Sequence, residues 1–223
     1  MANRLFSRRQ ARLALIGALI LVAAIAIVWP LFGPWLRVSS VNDDVGRLIS
    51  ERWVQIYYDS SSPEIASDGN VTIVAFLDYD SEDCRKVAAA LSRLHETDLG
   101  VRIVFKVLGA PGSIANISAR ALLAADRQDR FLLLHKELIQ GRPQVTESSL
   151  IAAAQTAGLE IARLRADMTD SAIGKVIEEN QSLAHVLGVS SPALLIGNRI
   201  YHGATNLEKL QAAVAQARSQ ASQ

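Results

Sequence analysis

Residues 71–86 read Val-Thr-Ile-Val-Ala-Phe-Leu-Asp-Tyr-Asp-Ser-Glu-Asp-Cys-Arg-Lys, and the chain changes character within them. The run from Val71 to Leu77 is dense in β-branched and aromatic residues, which predicts a strand. Asp80 or Ser81 then offers an oxygen that can cap a helix whose apolar face is Val87, Leu91 and Leu94. The junction carries Ser81-Glu82-Asp83-Cys84, and Cys84 is the only cysteine in 223 residues. One thiol cannot close an intramolecular disulfide, so this junction cannot cycle a dithiol by itself.

Downstream, Val101 to Val107 reads as a second strand, closed by Pro111-Gly112. From 113 to 187 only helical patterns appear. They comprise an alanine-rich run at 118–126, an apolar run at 131–139, a helix from Thr146 to Gly158, a short one at 160–168, and one at 172–187 with Gly188 past its end. Ser190-Ser191-Pro192 leads into two short strands, 193–196 and 199–202. Gly197-Asn198 joins them as a two-residue hairpin, and a last helix starts at Asn206. The order is β-α-β, a helical block, then β-β-α. A βαβ unit makes parallel strands and a hairpin adds antiparallel ones, so the block is an insertion folded against that sheet.

Upstream, residues 37–70 form a connector. Val41 to Tyr58 has helical spacing, Ser60-Ser61-Ser62-Pro63 stops it, and Asp68-Gly69-Asn70 is a turn. Arg4, Arg8, Arg9 and Arg12 lie in a basic tail, residues 1–12, and no acid occurs before Asp43. Residues 13–36 contain no charged side chain, with Trp29, Phe32 and Trp35 gathered at one end. About 20 apolar residues suffice to cross a bilayer, and a basic flank opposite interfacial aromatics orients the span. The expectation is a transmembrane signal-anchor at 13–36, the tail in the cytoplasm, and the main domain across a bacterial inner membrane, in the periplasm. A cleaved signal peptide ending near Ala24-Ile25-Ala26 fits less well, because the apolar run continues past it. Ser7-Arg8-Arg9 as a twin-arginine signal is weakened by Ala11 and Arg12.

The element order, the cysteine position and the proline before the final hairpin together resemble the DsbA-like branch of the thioredoxin superfamily, from about Ile56 to about Ala217. The residues that carry the likeness are Val71 to Tyr79, Cys84-Arg85-Lys86, Val101 to Lys106, and Ser191-Pro192 leading into Leu194-Leu195-Ile196-Gly197. Ala166-Asp167-Met168 and His202-Gly203-Ala204 add to it. The resemblance implies a thioredoxin-like α/β fold over 71–112 and 188–223, with a helical insertion at 113–187. It also implies a redox site in which position 81 is the nucleophilic cysteine, position 84 the resolving one, position 75 a buried carboxylate, and Pro192 a cis-proline beside a docking surface.

This sequence departs from that site at two positions. Ser81 stands at the nucleophile position and Ala75 at the carboxylate position. Asp78, Asp80, Glu82 and Asp83 surround Cys84 with negative charge, which disfavours a thiolate. The plainest reading of the junction is a helix start capped by Ser or Asp with acids in its first turn, and Cys84 as a small, half-buried core residue. The four acids lack the glycine and the distal glutamate of a calcium loop. His95, His135, His185 and His202 show no ligand spacing. Neither a cofactor nor a metal site is expected.

Two functions follow. The first is a tethered binding protein that docks extended polypeptide segments or envelope proteins through Tyr79, Ser191 and Pro192. The second is a monothiol enzyme that forms mixed disulfides through Cys84, with a client or with a second copy as a disulfide-linked dimer. A formal net charge of +1 gives no electrostatic reason to expect nucleic acid as a partner.

Overall fold

Five strands in the order β1-β3-β2-β4-β5 form the sheet at the centre of the computed structural model; the structure describes residues 44–140 and 145–221. They are β1 (Glu64–Ile65), β2 (Val71–Leu77), β3 (Val101–Val107), β4 (Ala193–Ile196) and β5 (Arg199–His202). Strands β2 and β3 pair in parallel with Val71 opposite Val101, and β4 and β5 each join antiparallel. The four strands read from the sequence fall at those residues. The fifth, β1, lies in the segment read as connector and pairs antiparallel with β3 through only two residues, too short for a periodic signal.

Around the sheet run α1 (Trp53–Tyr57), α2 (Glu82–Thr97), α3 (Ile114–Asp126), α4 (Phe131–Gln140), α5 (Glu147–Thr156), α6 (Ile161–Met168), α7 (Ser171–Val186) and α8 (Leu207–Ala221). Helix α2 joins the two parallel strands, while α3 to α7 are the insertion. Residues 44–51 are also helical, so the single helix expected over Val41 to Tyr58 is interrupted at Arg52. Helix α3 starts four residues earlier than read, because Ser113 accepts the Asn116 N–H as its cap. The basic tail at 1–12 and the anchor expected at 13–36 lie outside the described residues. Among the described residues no helix is long and apolar enough to cross a membrane.

Strand alternation decides what each face of the sheet carries. Ile73, Ala75, Leu77, Ile103, Phe105 and Val107 join the main core with Val87, Leu91 and Leu94 of α2. Burying a leucine or valine stabilises by roughly 2 kcal/mol, so the apolar stripe of α2 fixes its seat. Val74, Phe76, Val104 and Lys106 point to the opposite face and are equally buried. There α1 lies over β3, its Gln55 carbonyl accepting from Lys106, and α7 donates an Asn180 amide to the Val107 carbonyl. Both contacts fall at the C-terminal end of β3, which pairs with the end of β2 where the junction lies.

Candidate functional site

The junction is built by a chain of short hydrogen bonds. The Asp78 carboxylate accepts the Ser81 backbone N–H at 2.8 Å. The Ser81 hydroxyl accepts the Cys84 N–H at 3.2 Å and so caps α2. Of the two candidate caps, Ser81 fills the role. Arg85 is buried and its guanidinium donates to the carbonyls of Tyr79 and Asp80. It pins the loop between strand and helix from inside.

The Ser191-Pro192 loop closes the other side. The Ser191–Pro192 bond is cis, and Gly203 N–H donates to the Pro192 carbonyl. Pairing of Phe76 with Ala193 carries Ser191 opposite Asp78. The Ser191 hydroxyl accepts the Asp78 N–H at 2.8 Å and lies 2.9 Å from the Cys84 sulfur. The Cys84 thiol also points at the Asp78 carboxylate, 3.6 Å away. No backbone partner for the N–H or C=O of Ser191 occurs among the described residues.

Cys84 is fully covered, with 1% of its surface exposed. Burial is the largest influence on its thiol and pushes the pKa up, Asp78 adding to that rise while hydrogen bonds from Ser191 and Ser81 oppose it. Of the four acids expected to raise it, Asp78 is the anion that acts on the sulfur, while Glu82 and Asp83 are exposed and face Lys86. Ala75 is wholly buried in the main core, so the position where the resemblance implies a carboxylate is filled by a methyl group.

Tyr79 is not on a rim. It is buried to 1% exposure, its hydroxyl 2.6 Å from His135 Nδ1. Its aromatic surface is worth more inside the core than on a surface. The His135 ring packs edge-on to Phe105 and burial lowers its pKa to about 4, so the imidazole is neutral at pH 7. The pairing of residues 79 and 135, 56 positions apart, leaves no signal in the sequence. Lys106 does leave one: a charge inside an apolar strand, which demands a partner when buried. The structure supplies Asp59 at 2.9 Å, the Ser62 hydroxyl and the Gln55 carbonyl.

Beside the junction lies a groove of about 570 Å³. Asp78, Asp80 and Ser81 form one wall, the loop from Leu108 to Ala110 the floor, and Ala184 and His185 of α7 the far side. Among the described residues no three His, Cys, Asp or Glu side chains converge as metal ligands would.

The pattern of the DSBA-like thioredoxin domain matches residues 72–215. The chain belongs to this family. A thioredoxin-like oxidoreductase from Silicibacter pomeroyi DSS-3 superposes with a TM-score of 0.70 at 28% identity, over 74% of this chain and 97% of its own. A periplasmic thioredoxin-like protein from Salmonella enterica serovar Typhimurium gives 0.68 at 29% identity, over 74% and 94%. The thiol-disulfide exchange protein alpha-DsbA2 from Wolbachia pipientis shares the fold, with a TM-score of 0.71 at 22% identity over 78% and 96%.

Two curated relatives are Na(+)/H(+) antiporters. NhaA 1 of Salinispora arenicola is 27% identical over 150 residues, which is 66% of this chain and 23% of the antiporter. NhaA 3 of Salinispora tropica is 27% identical over 147 residues, 65% and 22%. This chain thus spans less than a quarter of the length of those two relatives. The sheet, the helical insertion and the cis Ser191-Pro192 loop fall within or beside the matched residues 72–215, and Ser81 lies three residues before the only cysteine.

Proposed function

We propose that this protein is a membrane-tethered, extracytoplasmic DsbA-like domain that binds extended polypeptide segments of envelope proteins and does not turn over a dithiol. One observation carries the reading. The sole thiol is buried and held neutral between Ser191 and Asp78, at a site whose other cysteine position is Ser81. A thiolate is the nucleophile in disulfide exchange, and this site suppresses it.

The polypeptide-binding half of the site rests on the Ser191 backbone. Its N–H and C=O have no backbone partner among the described residues, the arrangement by which an added strand gains backbone hydrogen bonds, and the 570 Å³ groove is lined by Val189 two residues before it. The tether rests on the uncharged 13–36 segment behind four arginines. A disulfide-linked dimer through Cys84 would require the capped helix start to open first.

The test uses the full chain in detergent. Cys84 is titrated with a thiol reagent across pH, native and denatured, and reduction of insulin disulfides is compared with that of Cys84→Ser. We expect reaction only after denaturation and equal, negligible turnover. A photoreactive residue at the exposed Ser190 should capture reduced, carboxymethylated ribonuclease, in wild type and in Cys84→Ser alike. A native thiol titrating below about 8.5, with turnover lost in Cys84→Ser, would instead establish the monothiol enzyme.

A further inference from the structure

Strand β5 is the free edge of the sheet on the side of the final hairpin. Its hydrogen-bonding phase follows from the register. Ile196 pairs with Arg199 and Leu194 with Tyr201, and Gly203 N–H donates to the Pro192 carbonyl two steps further on. Antiparallel ladders alternate between bonded and non-bonded pairs. Residues 199, 201 and 203 therefore turn their backbone groups to β4. Ile200 and His202 turn theirs outward, to an edge with no strand beyond it among the described residues.

A cationic edge alone would read as a guard against sheet-to-sheet aggregation. Here the edge adjoins a cavity of about 380 Å³ between the hairpin and α8, with Leu194, Ile196, Tyr201, Leu210 and Ala213 among its walls. A guard needs no such cavity. Residues directly opposite on neighbouring strands share a face. A residue paired across from Tyr201 would thus project to the face on which the cavity opens. Apolar side chains at alternate positions of an added strand are what such pockets select.

Charge decides the occupant. Arg199 on the strand and Lys209 on the cavity wall are exposed and have no ion-pair partner among the described residues. No acid lines the cavity. A second copy added at this edge would bring the same cationic strand, and β5 holds no acid that could pair with Arg199 or Lys209. We propose that the outer edge of β5 and the cavity beside it form a docking site for an extended acidic polypeptide segment, which adds as a sixth strand and buries an apolar side chain against Tyr201. This site is separate from the Ser191 groove and stands whether or not that groove binds clients.

The probe is a capped peptide alternating glutamate with valine around a central leucine, titrated by fluorescence anisotropy against the full chain in detergent. Its lysine counterpart and a version N-methylated at alternate residues serve as controls. The acidic peptide should bind, slow amide exchange at Ile200 and His202, and protect them in Cys84→Ser equally. Arg199→Glu and Lys209→Glu should each weaken it about fivefold. N-methylation on the bonding edge should abolish binding, a result independent of whether any variant folds. Ile200→Pro, placed where an edge strand tolerates proline, should do the same. Equal binding of the lysine peptide, indifference to N-methylation, or no binding at millimolar peptide would overturn the proposal. Concentration-dependent dimerisation with the same amides protected would overturn it in favour of a second copy.

Discussion

The two faces of the sheet handle buried polarity in opposite ways. On the α1 face, Lys106 is kept as an ion: wholly buried, bonded to Asp59, Ser62 and the Gln55 carbonyl. On the α2 face, three groups at and behind the junction are kept neutral, while the buried Arg85 guanidinium is satisfied by the loop carbonyls of Tyr79 and Asp80. Cys84 is held as a thiol, His135 as an imidazole, and Tyr79 as a phenol whose pKa burial raises well above its ordinary value. A charge survives burial where a full set of partners surrounds it. Where partners are hydroxyls and rings, the neutral form wins. The only cysteine of this chain thus lies on the face where thiol, imidazole and phenol are all neutral.

The largest effect should come from breaking the ionic face. Lys106→Met leaves the half-buried Asp59 carboxylate with only the Ser61 and Ser62 groups, and removing one partner of such a pair costs about 3 kcal/mol. Hydrogen bonds from Lys106 and Ser61 overcome the burial that would raise Asp59, and hold it at about 2. Denaturant unfolding should show this loss, and Lys106→Met with Asp59→Asn should recover part of it. A single-variant cost below about 1 kcal/mol would place the pair with ordinary surface bridges and dissolve the contrast.

The neutral face should announce itself through pH. His135 sits at about 4 in the folded chain against 6.5 for a free imidazole, so between these values the unfolded chain binds the extra proton. Stability then rises with pH through that window. On acidification it is lost from about 6.5 downward and the loss levels off near 4, for a total of about 3 kcal/mol. Asp59 works in a different window, its contribution falling away only as pH drops below 3.8 towards 2. Unfolding midpoints from pH 7.5 to 4.5 should therefore slope in wild type and flatten in Tyr79→Phe/His135→Phe, a pair chosen so that no hydroxyl is orphaned. An unchanged slope in the double variant would assign the titration elsewhere.

These contrasts also mark what a sequence can carry. Four strands, the inserted helices and a helix start capped at Asp80 or Ser81 were legible because each rests on periodicity or on a residue acting within a turn of itself. Lys106 was half legible: its charge in an apolar strand asks for a partner, while Asp59, 47 positions away, is supplied only by folding. Tyr79 was misplaced for the same reason. Its position at the rim of the motif suggested a docking role, but a partner in the insertion, His135, draws it into the core. At the site itself, the sequence showed a single cysteine, with Ser81 and Ala75 where the resemblance implies a nucleophile and a carboxylate. It could not show that burial, more than the acidic dipeptide, keeps the thiol protonated.

That last distinction yields the smallest and most discriminating shift. If Glu82 and Asp83 set the thiol, neutralising them should lower its pKa; if burial and Asp78 set it, nothing should happen. Both acids are exposed beside Lys86, where solvent screens them, whereas Asp78 lies 3.6 Å from the sulfur. Thiolate absorbance followed against pH should therefore move down in Asp78→Asn and stay put in Glu82→Gln/Asp83→Asn. In Ser191→Ala it should move up, because the hydroxyl that favours the thiolate is gone. That variant should also lose about 1 kcal/mol of stability, as the Asp78 N–H loses its acceptor. A downward shift in the Glu82/Asp83 pair alone would mean that the helix start is open enough for surface charge to reach the sulfur. Such an opening would reconnect Cys84 with the solvent, and with the exchange chemistry that its burial now denies it.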